Sequence, residues 1–162
     1  MSRGGPPAAV ATAGLVVAVD QVTKQLASSN IERGDDVNVF FGLDLTNTRN
    51  TGVAFGALDG AGLVVAILIG LSLTLLVAYF LVHRDMPLLW LPVGLLLGGA
   101  LGNLADRARE GAVIDFIDPV AWPAFNLADI AVVVGILGFV YVAEGRDEKT
   151  EDRRQKTEAE AS

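Results

Sequence analysis

The side chains of this 162-residue chain that can do chemistry are carboxylates, amides and guanidinium groups. The sequence has no cysteine, which excludes thiol catalysis, disulfide frameworks and Cys-ligated metals. A single histidine, His83, excludes a polyhistidine zinc site and leaves a Ser-His-Asp triad only one possible base. The formal net charge of −7 argues against nucleic-acid binding, because that function requires a basic surface.

Several short segments combine such polar side chains with apolar or small neighbours, and each also has a structural interpretation. Asp20 and Lys24 are four residues apart, so on a helix they lie on one face and would form a salt bridge. The segment 49–56 (RNTGVAFG) is typical of a hairpin turn, since Asn and Gly tolerate positive φ. The small residues of 98–102 (GGALG) allow close helix packing, and Asn103, Asp106 and Arg107 continue that segment as a polar stripe.

Two further carboxylates lie next to apolar sequence. Asp115, in VIDF (113–116), is expected in a loop, where it could simply cap a turn. Asp129, in FNLAD (125–129), precedes 14 uncharged residues. Asn126 and Asp129 have the spacing of a capping box at a helix start, but ionisable groups inside a membrane span are also candidates for function. The residues therefore predict paired carboxylates at a membrane boundary, with amides and an arginine nearby.

Three classes of function use such a pair. Two neighbouring carboxylates share a proton, and aspartic proteases use one as a base towards water and the other as an acid. A cation-coupled transporter would use the same acids as ion sites, although four spans are few and the polar residues gather at one end. A membrane scaffold would not require so many polar residues at a lipid boundary. We therefore favour a hydrolase.

Long apolar segments must position these residues. The chain is 52% hydrophobic, and the runs 60–82 and 86–105 contain no Asp, Glu, Lys or Arg. A helix of roughly 20 apolar residues spans a bilayer core, and two weaker runs flank the clear ones. The first run could also be a signal peptide, but no small-x-small cleavage site follows Val19. We predict an α-helical integral membrane protein with four transmembrane helices, near 7–26, 61–82, 87–106 and 125–143.

The segments outside the helices have distinct compositions. Residues 27–59 contain turn-formers around short runs such as VNVFF, which predicts a small β-rich extramembrane segment. Residues 107–124 form a loop, and 144–162 form a charged tail. Four antiparallel spans would put 27–59, 107–124 and the polar residues named above, except His83, on one side of the membrane. Lys and Arg number seven on the side of the termini and five on the other, which favours cytoplasmic termini only weakly.

Five segments in order resemble the lipoprotein signal peptidases (signal peptidase II), which are bacterial membrane aspartic proteases: DQVTK (20–24), NTGVAF (50–55), GGALGNLADR (98–107), VIDF (113–116) and FNLAD (125–129). The resemblance implies four transmembrane helices forming one domain over 1–143, cytoplasmic termini, an extracytoplasmic β-cradle and a short surface helix. It implies an enzyme of the bacterial inner membrane, with its active site at the extracytoplasmic face. The tail 144–162 lies outside the resemblance.

The reaction implied is removal of the signal peptide from prolipoproteins, on the N-terminal side of a diacylglyceryl-modified Cys. The resemblance implies no cofactor and no metal, and the partners expected are prolipoprotein substrates and membrane lipids, with the enzyme acting as a monomer. Residue by residue, Asp115 and Asp129 match the catalytic dyad. The family's polar positions that line the active site correspond to Asn50, Asn103, Arg107 and Asn126. The family's positions that support the site structurally correspond to Asp20, Lys24 and Asp106.

Two points of this match stay open. Spacing alone does not decide whether Asp115 or Asp106 lies beside Asp129, and the family pattern favours Asp115. Val53 stands where the family usually has Ala, and the stretch from Asp115 to Phe125 is a few residues short.

Overall fold

The computed structural model describes residues 5–51 and 62–160, which form four helices and one small sheet. Val53 and the remainder of 52–61 lie outside the described residues, and no short surface helix occurs within the described ranges. The elements are, in chain order, α1 (Pro6–Asn30), β1 (Asp36–Phe40), β2 (Leu43–Asn50), α2 (Gly62–Val82), α3 (Trp90–Glu110), β3 (Val113–Pro119) and α4 (Leu127–Glu160).

The four predicted helices form, and local chemistry shifts their ends. Helix α1 starts with a proline in its first turn, where the missing N–H costs nothing. Helix α3 begins later than predicted, after Leu88 with its left-handed φ of 66°. It ends where Gly111 adopts φ 71° and its N–H caps the Arg107 carbonyl. Helix α4 was predicted to end at 143 but continues to Glu160, because the charged tail is rich in helix-forming Glu, Lys and Arg.

The extramembrane segments form one antiparallel sheet in the order β1-β2-β3. The first two strands confirm the β-rich interpretation of 27–59, and Gly42, with φ 75°, turns the chain between them. The third strand was not predicted, since VIDF was interpreted as loop. It forms because β2 is paired with β1 along only one edge, and β3 forms hydrogen bonds along the other, with Asn50 opposite Val113 and Thr48 opposite Asp115. Strand β3 therefore carries Asp115 in a fixed register rather than on a free loop.

Helix α3 is the centre of the helical part, packing extensively against both α1 and α4 and also contacting α2. Its glycines permit this approach, as predicted. A Cβ on Gly98 would lie 2.6 Å from the Val16 Cβ, and one on Gly99 would lie 2.5 Å from the Ala128 carbonyl oxygen. The close approach brings the C-terminal half of α1 and the start of α4 onto one end of α3.

The distribution of polarity is inverted relative to a water-soluble domain. Large apolar side chains such as Leu15 and Leu137 are 65% and 64% exposed, whereas Asp20 and Lys24 are 0% and 1% exposed. Such surfaces suit a lipid environment. Among the described residues, two helical segments are long and apolar enough to cross a membrane, Pro6–Asn30 and Leu127–Gly145, and Ile67–Val82 is a shorter apolar helix.

Candidate active site

The first turn of α4 holds Asp129 in a reciprocal capping box. Asn126 Oδ1 accepts a hydrogen bond from the Asp129 N–H at 3.0 Å, and Asp129 Oδ2 accepts one from the Asn126 N–H at 3.2 Å. The predicted capping box is therefore present, and it serves the candidate site as well. It fixes the carboxylate of Asp129 at a helix N-terminus, where the backbone dipoles stabilise negative charge.

Asp115 lies beside the same cap, on β3. Asn126 Nδ2 donates to Asp115 Oδ1 at 2.6 Å, and Asn50 Nδ2 donates to Asp115 Oδ2 at 3.0 Å. Asn50 reaches Asp115 because β2 and β3 are paired in the sheet. One residue, Asn126, thus contacts both Asp115 and Asp129 and holds the two carboxylates in one cluster.

The electrostatic environment of Asp115 favours its protonated form. Its side chain is only 2% exposed. Burial raises the pKa of the Asp115 carboxyl above its usual value, and the charge of Asp129 acts in the same direction. The amide donors of Asn50 and Asn126 and the charge of Lys24 oppose the rise. Asp115 is therefore suited to hold a proton close to the carboxylate of Asp129.

A second buried group, here called the Lys24 cluster, consists of Asp20, Gln21, Lys24 and Asp106. Lys24 Nζ lies 2.9 Å from Asp20 Oδ2 and 2.7 Å from Asp106 Oδ2. Gln21 Nε2 bridges the two acids, donating to Asp106 Oδ1 at 2.9 Å and to Asp20 Oδ2 at 3.1 Å. The predicted Asp20–Lys24 pair forms, and it is buried between helices rather than exposed at a helix end.

The Lys24 cluster also holds the elements that carry the two candidate acids. Asp20 Oδ1 accepts the Ala128 N–H at 3.0 Å, in the first turn of α4. Asp106 Oδ2 accepts the Ile114 N–H at 3.3 Å, next to Asp115 on β3. Both carboxylates of the cluster are thus engaged with Lys24 and with backbone donors, which fits the expected supporting role of Asp106.

Asn103 connects the Lys24 cluster to Asp129. Its Oδ1 accepts from Lys24 Nζ at 2.8 Å and from Asn126 Nδ2 at 3.2 Å. Its Nδ2 donates to Asp129 Oδ1 at 2.8 Å. Asn50, Asn103 and Asn126, all predicted from sequence, therefore lie together around the two acids.

Arg107 differs from this group. It is half-buried and donates from Nη1 to the Asn103 carbonyl, one helical turn away, at 3.4 Å. The guanidinium that reaches Asp106 Oδ1 is that of the exposed Arg109, at 3.3 Å. Lys24 Nζ contacts the other oxygen of Asp106 from the buried side, at 2.7 Å.

Sequence reasoning missed two features of the site. Gln21 was not singled out, although its place one residue after Asp20 puts it within reach of both acids. An apolar groove that opens beside Asp129 was also missed; it is lined by Trp122, Phe125, Asp129, Ile130, Val133 and Val134. The groove residues of α4 are spaced so that they lie on one face of the helix. Trp122 and Phe125 precede α4, and only the folding of the chain brings them to that face.

Comparison with known proteins decides the family. The family described as signal peptidase (SPase) II matches residues 12–143. The chain belongs to the signal peptidase II family. A lipoprotein signal peptidase of Moorella thermoacetica is 43% identical over 127 residues, covering 76% of this chain and 83% of the relative. One of Syntrophus aciditrophicus is 42% identical over 140 residues, covering 80% and 87%.

A solved bacterial membrane enzyme, determined by the in meso method at 1.9 Å resolution, has the same fold. It superposes with a TM-score of 0.78 at 32% identity, covering 88% of this chain and 97% of its own. Membership of the signal peptidase II family makes this protein a peptidase, which confirms the predicted resemblance and the choice of a hydrolase over a transporter or scaffold. The similarity to membrane enzymes agrees with its apolar helices.

Proposed function

We propose that this signal peptidase II removes the signal peptide from prolipoproteins, cleaving on the N-terminal side of a cysteine that carries a diacylglyceryl group. Family membership and the names of the relatives support the substrate class. The exposed apolar surfaces of α1 and α4 support a substrate delivered within a bilayer. The substrate's acyl chains stay in lipid while the peptide reaches the acids at the start of α4.

Asp115 and Asp129 form the catalytic dyad in this proposal. The observation that carries it is the bridge made by Asn126, which donates to Asp115 Oδ1 at 2.6 Å and through its backbone to Asp129 Oδ2 at 3.2 Å. Asp106 is the alternative partner, and its contacts with Lys24 and Ile114 leave it to a supporting role. Asp115 holds the shared proton because its pKa is raised by burial.

The reaction then follows the aspartic-protease scheme. Asp129 takes a proton from water as the water oxygen attacks the scissile carbonyl carbon, and Asp115 gives its proton to the carbonyl oxygen. The tetrahedral diol collapses when Asp129 gives its proton to the leaving nitrogen, one hydroxyl of the diol returns its proton to Asp115, and the C–N bond breaks to release the amine and the new carboxyl end. Asn50 and Asn126 orient Asp115, Asn103 orients Asp129, and Arg107 binds the peptide backbone at the rim.

The topology completes the proposal. Residues 1–143 form one four-span domain with both termini and the 144–162 tail in the cytoplasm of a bacterial cell. The sheet and the 107–124 segment then lie on the extracytoplasmic side of the inner membrane, together with the dyad. The gathering of Asp20, Lys24 and the dyad at one end of the helical bundle supports a single site at one membrane face. The enzyme works as a monomer surrounded by lipid.

The decisive experiment is cleavage of a purified diacylglyceryl-modified prolipoprotein in detergent micelles by wild type and three variants. Asp115→Asn and Asp129→Asn are expected to fold and to lose about 100- to 10,000-fold in turnover, the usual contribution of general acid–base catalysis. Asp106→Asn is the matched control and retains turnover. Activity lost at Asp106 and Asp129 but kept at Asp115 would move the dyad. Failure of folded wild type to cleave would reject the substrate assignment.

A further inference from the structure

Lys24 makes one contact that its ion pairs do not require. An ammonium has three N–H donors, and Lys24 Nζ contacts three oxygens. Two of them belong to Asp20 and Asp106 at 2.9 and 2.7 Å, and the third is Asn103 Oδ1 at 2.8 Å. Lys24 is only 1% exposed, so its ammonium is shielded from bulk solvent and depends on these three protein oxygens. The third contact leads from the Lys24 cluster to the proposed dyad.

That contact determines which way the Asn103 amide is turned. Lys24 can only donate, so the oxygen of the amide must face it and the NH₂ group must face away. The NH₂ group then donates to Asp129 Oδ1 at 2.8 Å. A flipped amide would set its NH₂ against the ammonium and its oxygen against the Asp129 carboxylate, which makes two repulsive contacts. Lys24 therefore fixes the orientation of Asn103 together with Asn126 Nδ2, which donates to the same oxygen at 3.2 Å, and with the Asp129 carboxylate on the other side.

We propose that Lys24 is a positioning residue for catalysis, acting through Asn103 to keep a hydrogen-bond donor on Asp129 Oδ1. The inference rests on the proposed dyad and deepens it. With Asn103 on Oδ1 and the Asn126 N–H on Oδ2, both oxygens of Asp129 are held in place. The carboxylate is then pre-organised towards a water in the adjacent groove, instead of rotating when the substrate enters.

The charge of Lys24 also acts on Asp115, since it opposes the rise of the Asp115 pKa caused by burial. Removing that charge is expected to raise the Asp115 pKa further. The described charged groups around Lys24 and the dyad lie on α1, α3, β3 and α4: Asp20, Asp106, Arg107, Arg109, Asp115 and Asp129.

A test must separate positioning from a change in the net charge of the Lys24 cluster. The reference is therefore Asp106→Asn, in which the new amide oxygen can still accept from Lys24, and in which the new NH₂ faces Gln21 in both proteins that are compared. Adding Lys24→Met to this background removes one cation after one anion, so the net charge of the cluster returns to the wild-type value. Both proteins are compared as monodisperse samples with measured Tm.

We expect Lys24→Met in this background to lower kcat by about 10- to 100-fold, the effect of losing a charge-assisted hydrogen bond to a reacting group, with KM little changed. The pH profile of kcat should move to higher pH on the side governed by Asp115. Adding Asn103→Ala closes a double-mutant cycle. If Lys24 acts through Asn103, the two changes together cost no more than Asn103→Ala alone.

Two outcomes would overturn the inference. Additive losses of kcat would show that Lys24 does not act through Asn103. A Lys24→Met protein with the kcat and pH profile of the Asp106→Asn reference, and only a lower Tm, would make Lys24 purely structural. Retained activity in Asp115→Asn or Asp129→Asn would instead reject the proposed dyad, so the two failures are distinguishable.

Discussion

Gly102 is the position at which the packing of α3 and the Lys24 cluster can be tested most directly. A Cβ at Gly102 would lie 2.7 Å from Asp20 Oδ2 and 3.3 Å from its Cγ. Asp20 has no room to retreat, because its two oxygens are held by Lys24 Nζ at 2.9 Å and by the Ala128 N–H at 3.0 Å. In Gly102→Ala, the added methyl group must displace Asp20 or push α1 away from α3.

The magnitude follows from three contributions. Replacing glycine by alanine inside a helix stabilises it by about 1 kcal/mol. Overpacking a closely packed site costs about 1–3 kcal/mol, and weakening a hydrogen bond to a charged group costs about 1.5–3 kcal/mol. We expect a net loss of about 1.5–5 kcal/mol, which lowers the Tm of a chain of this size by roughly 3–20 °C. Since Asp20 caps α4 at Ala128, turnover should fall as well.

The assay is thermal unfolding in detergent, with prolipoprotein cleavage measured on the same samples. Gly14→Ala is the matched control, because Gly14 also lies in a helix and a Cβ there meets nothing within 4 Å. That variant should gain stability, by up to about 1 kcal/mol. If Gly102→Ala raised the Tm as much as Gly14→Ala does, the tight packing of α3 against Asp20 would be refuted.

Two further predictions concern pH and topology. Since Asp115 has a raised pKa in the folded state, folding binds a proton there, and stability falls as pH rises above the ordinary value of 3.8. The Tm of Asp115→Asn relative to that of wild type should therefore rise from about pH 4 to pH 7. Asp118→Asn on the same strand is the control. A Tm difference between Asp115→Asn and wild type that stays constant with pH would contradict the raised pKa of Asp115. Because the chain lacks cysteine, single Cys variants report topology. Phe41→Cys should react with an impermeant maleimide on intact cells, and Ala159→Cys only after permeabilisation.

Much of the local structure was predictable because its signals lie within a few residues. The four-residue spacing of Asp20 and Lys24 predicted their ion pair, and Asn126 with Asp129 predicted the capping box. Glycines in α3 predicted close helix packing. Helix ends were less predictable, since α4 starts only after Phe125 has paired with Ile117 and continues through a tail whose charges favour helix.

Composition and motif order are enough to predict the apolar helices, the types of group available for chemistry and the family, because these properties need no knowledge of contacts. The partners of those groups follow from how the helices and strands pack. Strand β3 exists through pairing with β2, and Gln21 matters through an acid 85 positions away. Lys24 binds Asp106, whereas Asn126 binds Asp115. These separate contacts depend on how α1, α3 and α4 pack, which is a long-range property that spacing along the chain does not encode.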